Sequence, residues 1–138
     1  MLSVHDNTCS GYRFSGVERQ LVLETEYPCG SDKEGQRSDI VFDGVWCHHL
    51  ESVQDGNIIF DIEEVDIAQV ESEFRCVFDR LKNYGWPHLE TKNDTLPEII
   101  ERHDLIVYRI HTSYGLEGFV VAKSARQTNS EQAAPRNR

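Results

Sequence analysis

The sequence has few basic residues, no closely spaced cysteine pair and no long apolar run. Its 14 lysines and arginines stand against 24 aspartates and glutamates, which gives a formal net charge of −10. A chain with this charge repels phosphate backbones, so we expect no nucleic-acid partner. No stretch reaches the roughly 18 apolar residues needed to cross a bilayer, so we expect no membrane partner. Basic proteins or cations are the favoured partners.

The cysteines lack the spacing of a disulfide framework or a metal site, and they are Cys9, Cys29, Cys47 and Cys76. The N-terminal residues contain no apolar run of signal-peptide length. Together these features predict a cytoplasmic protein with reduced thiols. Catalytic motifs such as Gly-x-Ser-x-Gly and the glycine-rich phosphate loop are missing as well. We therefore expect no catalytic residue and no cofactor, although a metal-dependent alternative stays open.

Alternating apolar and polar residues predict a mostly antiparallel sheet of five or six strands. A strand at residues 58–63 is expected to bury Ile58, Phe60 and Ile62 on one face. The other predicted strands are residues 11–16, 19–27, 39–50, 105–111 and 119–122. Short turns separate most of them, which favours hairpin connections.

One long amphipathic helix is predicted at residues 67–84, where the apolar period changes from two to about 3.6 residues. Asp66 followed by Gln69 is typical of a helix start, and Gly85 followed by Pro87 is typical of a helix end. The apolar stripe of this helix should pack on one face of the sheet. The predicted fold class is therefore α+β.

The domain organisation follows from length and from the composition of the C-terminal segment. At 138 residues the chain has the length of one domain. Residues 1–123 carry the predicted strands and helices, whereas residues 124–138 are polar and are predicted to form a disordered tail. Residues 123–138 hold four basic residues and one acid, which leaves a charge of −13 for residues 1–122.

The densest group of carboxylates lies where the strand at residues 58–63 leads into the helix. Its members are Asp61, Glu63, Glu64 and Asp66. Asp61 and Glu63 should share one face of the strand about 7 Å apart, a spacing at which oxygen atoms could hold a hard cation. A solvated sheet face is the alternative, and a surface for a basic partner is the third possibility. Trp86 would either cap the core or anchor that partner.

These residues lead to two candidate functions. The leading prediction is a non-enzymatic, acidic protein-binding module that binds a basic protein through the carboxylate group and Trp86. The alternative is a metal-dependent enzyme that uses Asp61, Glu63 or Glu64 together with His48 or His49. On a strand, however, His48 and His49 point to opposite faces, so they cannot both ligate one ion without a bulge. The metal set of this alternative is Asp61, Glu63 and His48.

Several short motifs carry a family resemblance across most of residues 4–122. They are His5-Asp6, Val41-Phe-Asp-Gly-Val45, Ile58-Ile-Phe-Asp-Ile62 and Tyr114-Gly-Leu-Glu-Gly118. In these motifs the chain resembles small uncharacterised bacterial domain proteins, some of them akin to immunity proteins of polymorphic toxin systems. The resemblance implies no catalytic residues, and it implies the role of an immunity-type inhibitor. It does not predict an oligomeric state.

Overall fold

The computed structural model describes residue 2 and residues 4–129. Within that part the chain forms eight strands and three short α-helices. The strands are β1 (Thr8–Ser15), β2 (Gln20–Glu26), β3 (Ser38–Asp43), β4 (Cys47–Glu51), β5 (Asn57–Val65), β6 (Ile106–Tyr114), β7 (Glu117–Ala122) and β8 (Ser124–Asn129). The helices are α1 (Ile67–Glu73), α2 (Arg75–Leu81) and α3 (Leu96–His103). None of these helices has the length and apolar composition needed to cross a membrane.

All eight strands belong to one antiparallel sheet in the order β4-β7-β6-β5-β1-β2-β3-β8. The two ends of this order meet, because β3 and β4 follow one another along the chain and pair with β8 and β7 in nearly the same register. Two backbone hydrogen bonds bridge the interruption between them. The Lys123 N–H donates to the Asp43 carbonyl (3.0 Å), and the Trp46 N–H donates to the Val121 carbonyl (2.7 Å). The sheet therefore closes on itself and has an inner and an outer face.

The inner face encloses the first of two hydrophobic clusters. Its buried members are Val4, Cys9, Leu21, Leu23, Ile40, Phe42, Val45, Ile59, Tyr108, Ile110, Leu116, Val120 and Ala122. Leu50 of β4 and Ala125 of β8 pack against them, so every strand contributes to this core. Burial of an aliphatic or aromatic side chain contributes roughly 1.5 to 3 kcal/mol, which makes this enclosed cluster the main source of stability.

The second hydrophobic cluster lies between the helices and the outer face of the sheet. It contains Ile67, Val70, Phe74 and Val77 from the predicted apolar stripe, and Phe119 and Val121 from β7. The stripe therefore packs on the sheet as the periodicity predicted. The predicted ends are confirmed too, since Asp66 caps α1 and Gly85 is left-handed with φ of 79°.

The predicted α+β fold, with five or six strands and one long helix, is wrong. Residues 67–84 form two α-helices and a short 3-10 turn, and the break lies at Phe74 (φ −110°, ψ 27°). This backbone conformation accompanies a buried ring, whose centroid is 5.2 Å from that of Phe119 and 4.9 Å from the Arg109 guanidinium. The helix is thus interrupted at the residue where Phe74 packs against the sheet.

Two further strands arise where the sequence predicted one strand and a tail. The strand predicted at residues 39–50 is divided at Gly44, whose φ is +65° and whose added Cβ would lie 2.7 Å from the Lys123 side chain. Ser124–Asn129, predicted to be part of a disordered tail, instead form β8 along the edge of β3. The remainder of that tail, residues 130–138, lies outside the described residues.

Candidate functional site

Strand β5 contains an irregularity that reverses the faces predicted for its first half. Its pairing with β6 shifts register between Ile58 and Ile59, and again between Ile59 and Asp61. As a result Ile59 is fully buried, whereas Phe60 is 49% exposed. The strict alternation predicted for this strand is therefore wrong, because a bulge changes which side chains face inward. Beyond the bulge Ile62 faces the interior.

A pocket of about 690 Å³ opens beside the second half of β5. It is lined by Leu2, Asp61, Ile62, Glu63, Glu64, Tyr108, Ala125, Arg126 and Gln127. Four consecutive strand residues line it although their side chains alternate between the two faces, so the pocket follows the edge of β5. Three of the carboxylates singled out in the sequence, Asp61, Glu63 and Glu64, therefore lie together, and we call them the pocket carboxylates.

The described part of the chain supplies the pocket carboxylates with almost no positive charge. Within residues 4–129, the side chains of Asp61 and Glu64 form neither an ion pair nor a hydrogen bond. The Glu63 carboxylate comes within 3.9 Å of the His111 ring, an interaction that depends on protonation of the histidine. The pocket is therefore a region of unbalanced negative charge.

Arg126, the basic residue among the described residues of the lining, is already engaged. Its Nε donates a hydrogen bond of 2.9 Å to the Asp43 carboxylate. Although partial burial opposes ionisation of Asp43, hydrogen bonds from Gln20 and Arg126 hold its pKa below the ordinary value. Arg126 and Asp43 therefore form a charge-balanced pair, and the wall opposite β5 does not neutralise the pocket carboxylates.

Tyr108 forms the inner part of the pocket and is 7% exposed. Its ring makes an edge contact with Phe42 at a centroid distance of 5.3 Å. Burial and the charge of Glu64 raise the pKa of Tyr108, so the phenol is neutral and keeps its proton for hydrogen bonding. The sequence placed Tyr108 only in an apolar strand. Its alternation with Ile110 is the signal that could have placed it inside.

Asp66 and Trp86, the other two residues predicted to bind a partner, lie outside this pocket. The Asp66 carboxylate accepts a hydrogen bond of 3.1 Å from the Ala68 N–H at the start of α1. The Trp86 ring packs against Phe78 at 5.2 Å and against Phe119 of β7 at 6.2 Å. Each therefore has a structural role in the helix-side cluster or at its margin.

The structure does not bring together Asp61, Glu63 and His48, the metal set of the alternative function. Strand β4, which carries His48, is three positions from β5 in the sheet, or about 14 Å along it at about 4.8 Å per strand. In the part of the chain that the structure describes, no group of three His, Cys, Asp or Glu residues could hold a metal ion. The metal-dependent alternative therefore has no assembled site among those residues.

The two histidines of β4 have other surroundings. The His48 ring packs against Phe14 at a centroid distance of 4.7 Å, and burial, then the charge of His49, lower the pKa of His48. The His49 Nε2 lies 3.2 Å from the Glu51 carboxylate, with its ring beside Phe74. Both side chains thus contribute to packing around β4.

A buried arginine that sequence reasoning missed joins the helices to the sheet. Arg109 is 6% exposed, and its five N–H groups donate to Glu73 (3.1 and 3.2 Å), to Glu117 (3.4 Å) and to the carbonyls of Ile110 (2.5 Å) and Gly118 (3.0 Å). Partial burial opposes ionisation of Glu73, but hydrogen bonds from Gln69 and Arg109 hold its pKa below the ordinary value. This network is saturated and therefore structural.

Comparison with known proteins adds no assignment to this geometry. No family model matches the chain, and neither the curated proteins nor the solved structures show a match. The resemblance to small bacterial domain proteins and immunity proteins stays a prediction from the sequence motifs.

Proposed function

We propose that this chain is a non-enzymatic binding module whose acidic pocket takes cationic side chains of a basic protein partner. One observation carries the proposal: among the described residues, Asp61, Glu63 and Glu64 line a single pocket of about 690 Å³ whose arginine, Arg126, is paired with Asp43. Like charges that the fold leaves unbalanced gain most from a positive group supplied from outside.

The remaining lining suits the chemistry of lysine and arginine. Both side chains place a charged head on an aliphatic stem, and the stem gains from apolar contact. Leu2, Ile62 and Ala125 supply such contact, while the neutral Tyr108 and Gln127 add polar groups. Arginine is the favoured head group, because its planar guanidinium can bind two carboxylates at once.

An acidic body also favours capture of a basic partner at a distance. Residues 1–122 carry a charge of −13, which steers a positively charged protein towards the chain and raises its association rate. An inhibitor that covers the active surface of a basic toxin, as the resemblance to immunity proteins implies, would use both the steering and the pocket.

Neutralisation of the pocket carboxylates tests the proposal. The triple variant Asp61→Asn, Glu63→Gln, Glu64→Gln removes the pocket charge, and a capped peptide of alternating arginine and glycine serves as the probe. We expect the native chain to bind the peptide at low salt, as measured by fluorescence anisotropy, and to lose most of that binding at about 0.5 M salt. The triple variant should bind at least about tenfold more weakly.

A matched control separates the pocket from net charge. The exposed acids Asp32, Asp79 and Glu101 lie away from the pocket, and their conversion to Asn, Asn and Gln changes the total charge equally. This control should keep most of the peptide binding. Equal losses in the two triple variants, or binding by the native chain that ignores ionic strength, would contradict recognition by the pocket.

A further inference from the structure

Strand β5 extends beyond its neighbour β1, and part of its edge has no strand partner among the residues that the structure describes. Pairing between the two strands comprises Thr8 with Ile58 and Cys9 with Asn57. Asp6 and Asn7 add two backbone hydrogen bonds to Ile59. The chain then turns inward, and Val4 is only 2% exposed. The adjoining strand therefore ends well before β5 does.

The second half of β5 is paired on one side alone. Asp61–Val65 pair with His111–Val107 of β6. On the side away from β6, no backbone hydrogen bond reaches residues 61–65 from any residue that the structure describes. A strand edge of this kind presents free N–H and C=O groups, and it accepts another strand unless charge or shape prevents it.

We propose that an extended basic segment of a partner protein binds here by adding a strand to the edge of β5. The proposal rests on the proposed function and gives it a binding mode. The free edge is about 17 Å long, enough for a segment of about five residues. The pocket follows this same edge, so an added strand would occupy it directly.

Side chains along the edge specify the pattern of the segment. Directly opposed residues of two strands share a face, so residues opposite Asp61 and Glu63 would be basic. The residue between them would face inward beside Ile62 and would be apolar. Alternating basic and apolar residues therefore fit the edge, whereas an acidic edge repels a second copy of itself.

A second groove extends the site past the end of the strand. It has a volume of about 390 Å³ and shares Glu64 with the pocket. Its lining is mainly aliphatic, and it includes Val65, Ile67, Ile100, Leu105, Ile106 and Val107. An apolar residue next to the basic, alternating part of the segment would bury its side chain there.

A capped peptide of alternating lysine and valine tests strand addition. Its binding should shift the amide resonances of residues 61–65. It should slow hydrogen exchange at those among them whose N–H groups point away from β6, because these free N–H groups become hydrogen-bonded. Shifts confined to other strands, with residues 61–65 unchanged, would overturn the assignment of the edge.

Two methylated peptides supply the matched control. One carries N-methyl groups on its lysines and the other on its valines, so charge and composition are equal. Successive N–H groups of a strand point alternately towards and away from its neighbour, so only one of the two peptides should lose affinity, by about tenfold or more. The other should bind like the unmethylated peptide.

The outcomes separate this inference from the proposed function. Equal, salt-sensitive binding of all three peptides would overturn strand addition and leave recognition of cations intact. Absence of binding by the unmethylated peptide, together with no binding of the arginine–glycine peptide, would overturn both. A chain that dimerises through residues 61–65 in light scattering, with the peptide dissociating the dimer, would assign the edge to a second copy and overturn the basic partner.

Discussion

Two groups of carboxylates in this molecule differ in whether the fold supplies them with cations. On the helix side, Glu73 lies 3.1 Å from Arg109, and Glu90 and Asp94 lie 2.6 and 3.0 Å from Arg102. Beside β5, the described residues bring the pocket carboxylates only a histidine, 3.9 Å from one of them. Acids of the first group stabilise contacts between elements, whereas acids of the second group have no such partner.

The difference teaches how to distinguish structural acids from acids that are available to a ligand. The density of carboxylates along the sequence does not distinguish the two kinds of acid. Pairing with a cation does distinguish them. Removal of a paired acid would leave a buried cation such as Arg109 without its countercharge, so that acid is needed for the fold. Acids that repel one another without a structural partner contribute nothing to folding, which favours an external role for the pocket carboxylates.

The largest expected effect comes from removal of the buried cation. Replacement of Arg109 by Met deletes hydrogen bonds to Glu73, Glu117 and the Gly118 carbonyl, so the free energy of unfolding should fall by about 3 kcal/mol. Urea denaturation measures the loss. Arg126→Met is the matched control, since the Arg126 side chain is 54% exposed and its removal should cost less than about 1 kcal/mol. Equal losses of stability in Arg109→Met and Arg126→Met would contradict a special structural role for the buried arginine.

Neutralisation of the acids themselves should give a smaller contrast. Glu73→Gln weakens the tie to Arg109, and because the Glu73 side chain is 37% exposed we expect a loss of only about 1 kcal/mol. The triple variant of the pocket carboxylates should change stability by no more than about 0.5 kcal/mol, because it removes repulsion rather than attraction. Thermal unfolding of both variants beside the native chain measures the difference. A pocket variant less stable than Glu73→Gln would reverse the interpretation.

The smallest effect concerns pH. The pKa of Glu73 is lower in the folded chain than its ordinary value of 4.5, so its ionised form stabilises the fold above that pH. The contribution should disappear as pH falls through the lowered pKa, where the folded chain also binds the proton. Urea midpoints of the native chain and of Glu73→Gln should therefore differ above about pH 4.5 and converge below it. A difference that persists at low pH would mean that packing, rather than ionisation, carries the effect.

Periodicity predicted the central elements of the fold but not their number. Alternation found the paired strands, and the apolar stripe found the helical segment, because both patterns are local. The break at Phe74 could not be predicted, since the apolar spacing continues through it and its backbone accompanies contacts with Arg109 and Phe119. Strand β8 has a polar sequence and exists through backbone pairing with β3, which leaves no local signal.

The candidate site was predicted in the same partial way. Clustering along the chain identified Asp61, Glu63 and Glu64. It could not identify Tyr108 or Arg126, because pairing of β6 with β5 brings the first to the pocket and closure of the sheet brings the second, both from distant parts of the sequence. The strand order places His48 three strands away, which is why the predicted metal set does not assemble. Local patterns thus found one wall of the pocket and missed the other.

The pairing of β3 with β8 and of β4 with β7 has a consequence for synthesis of the chain. A ribosome releases β3 and β4 long before it has made Glu117–Asn129, the segment that pairs with them. During that interval Leu21, Phe42 and the other inward residues cannot be enclosed. The core therefore forms after translation of β8, and nascent chains that stop short of it are the form most exposed to chaperones and proteases.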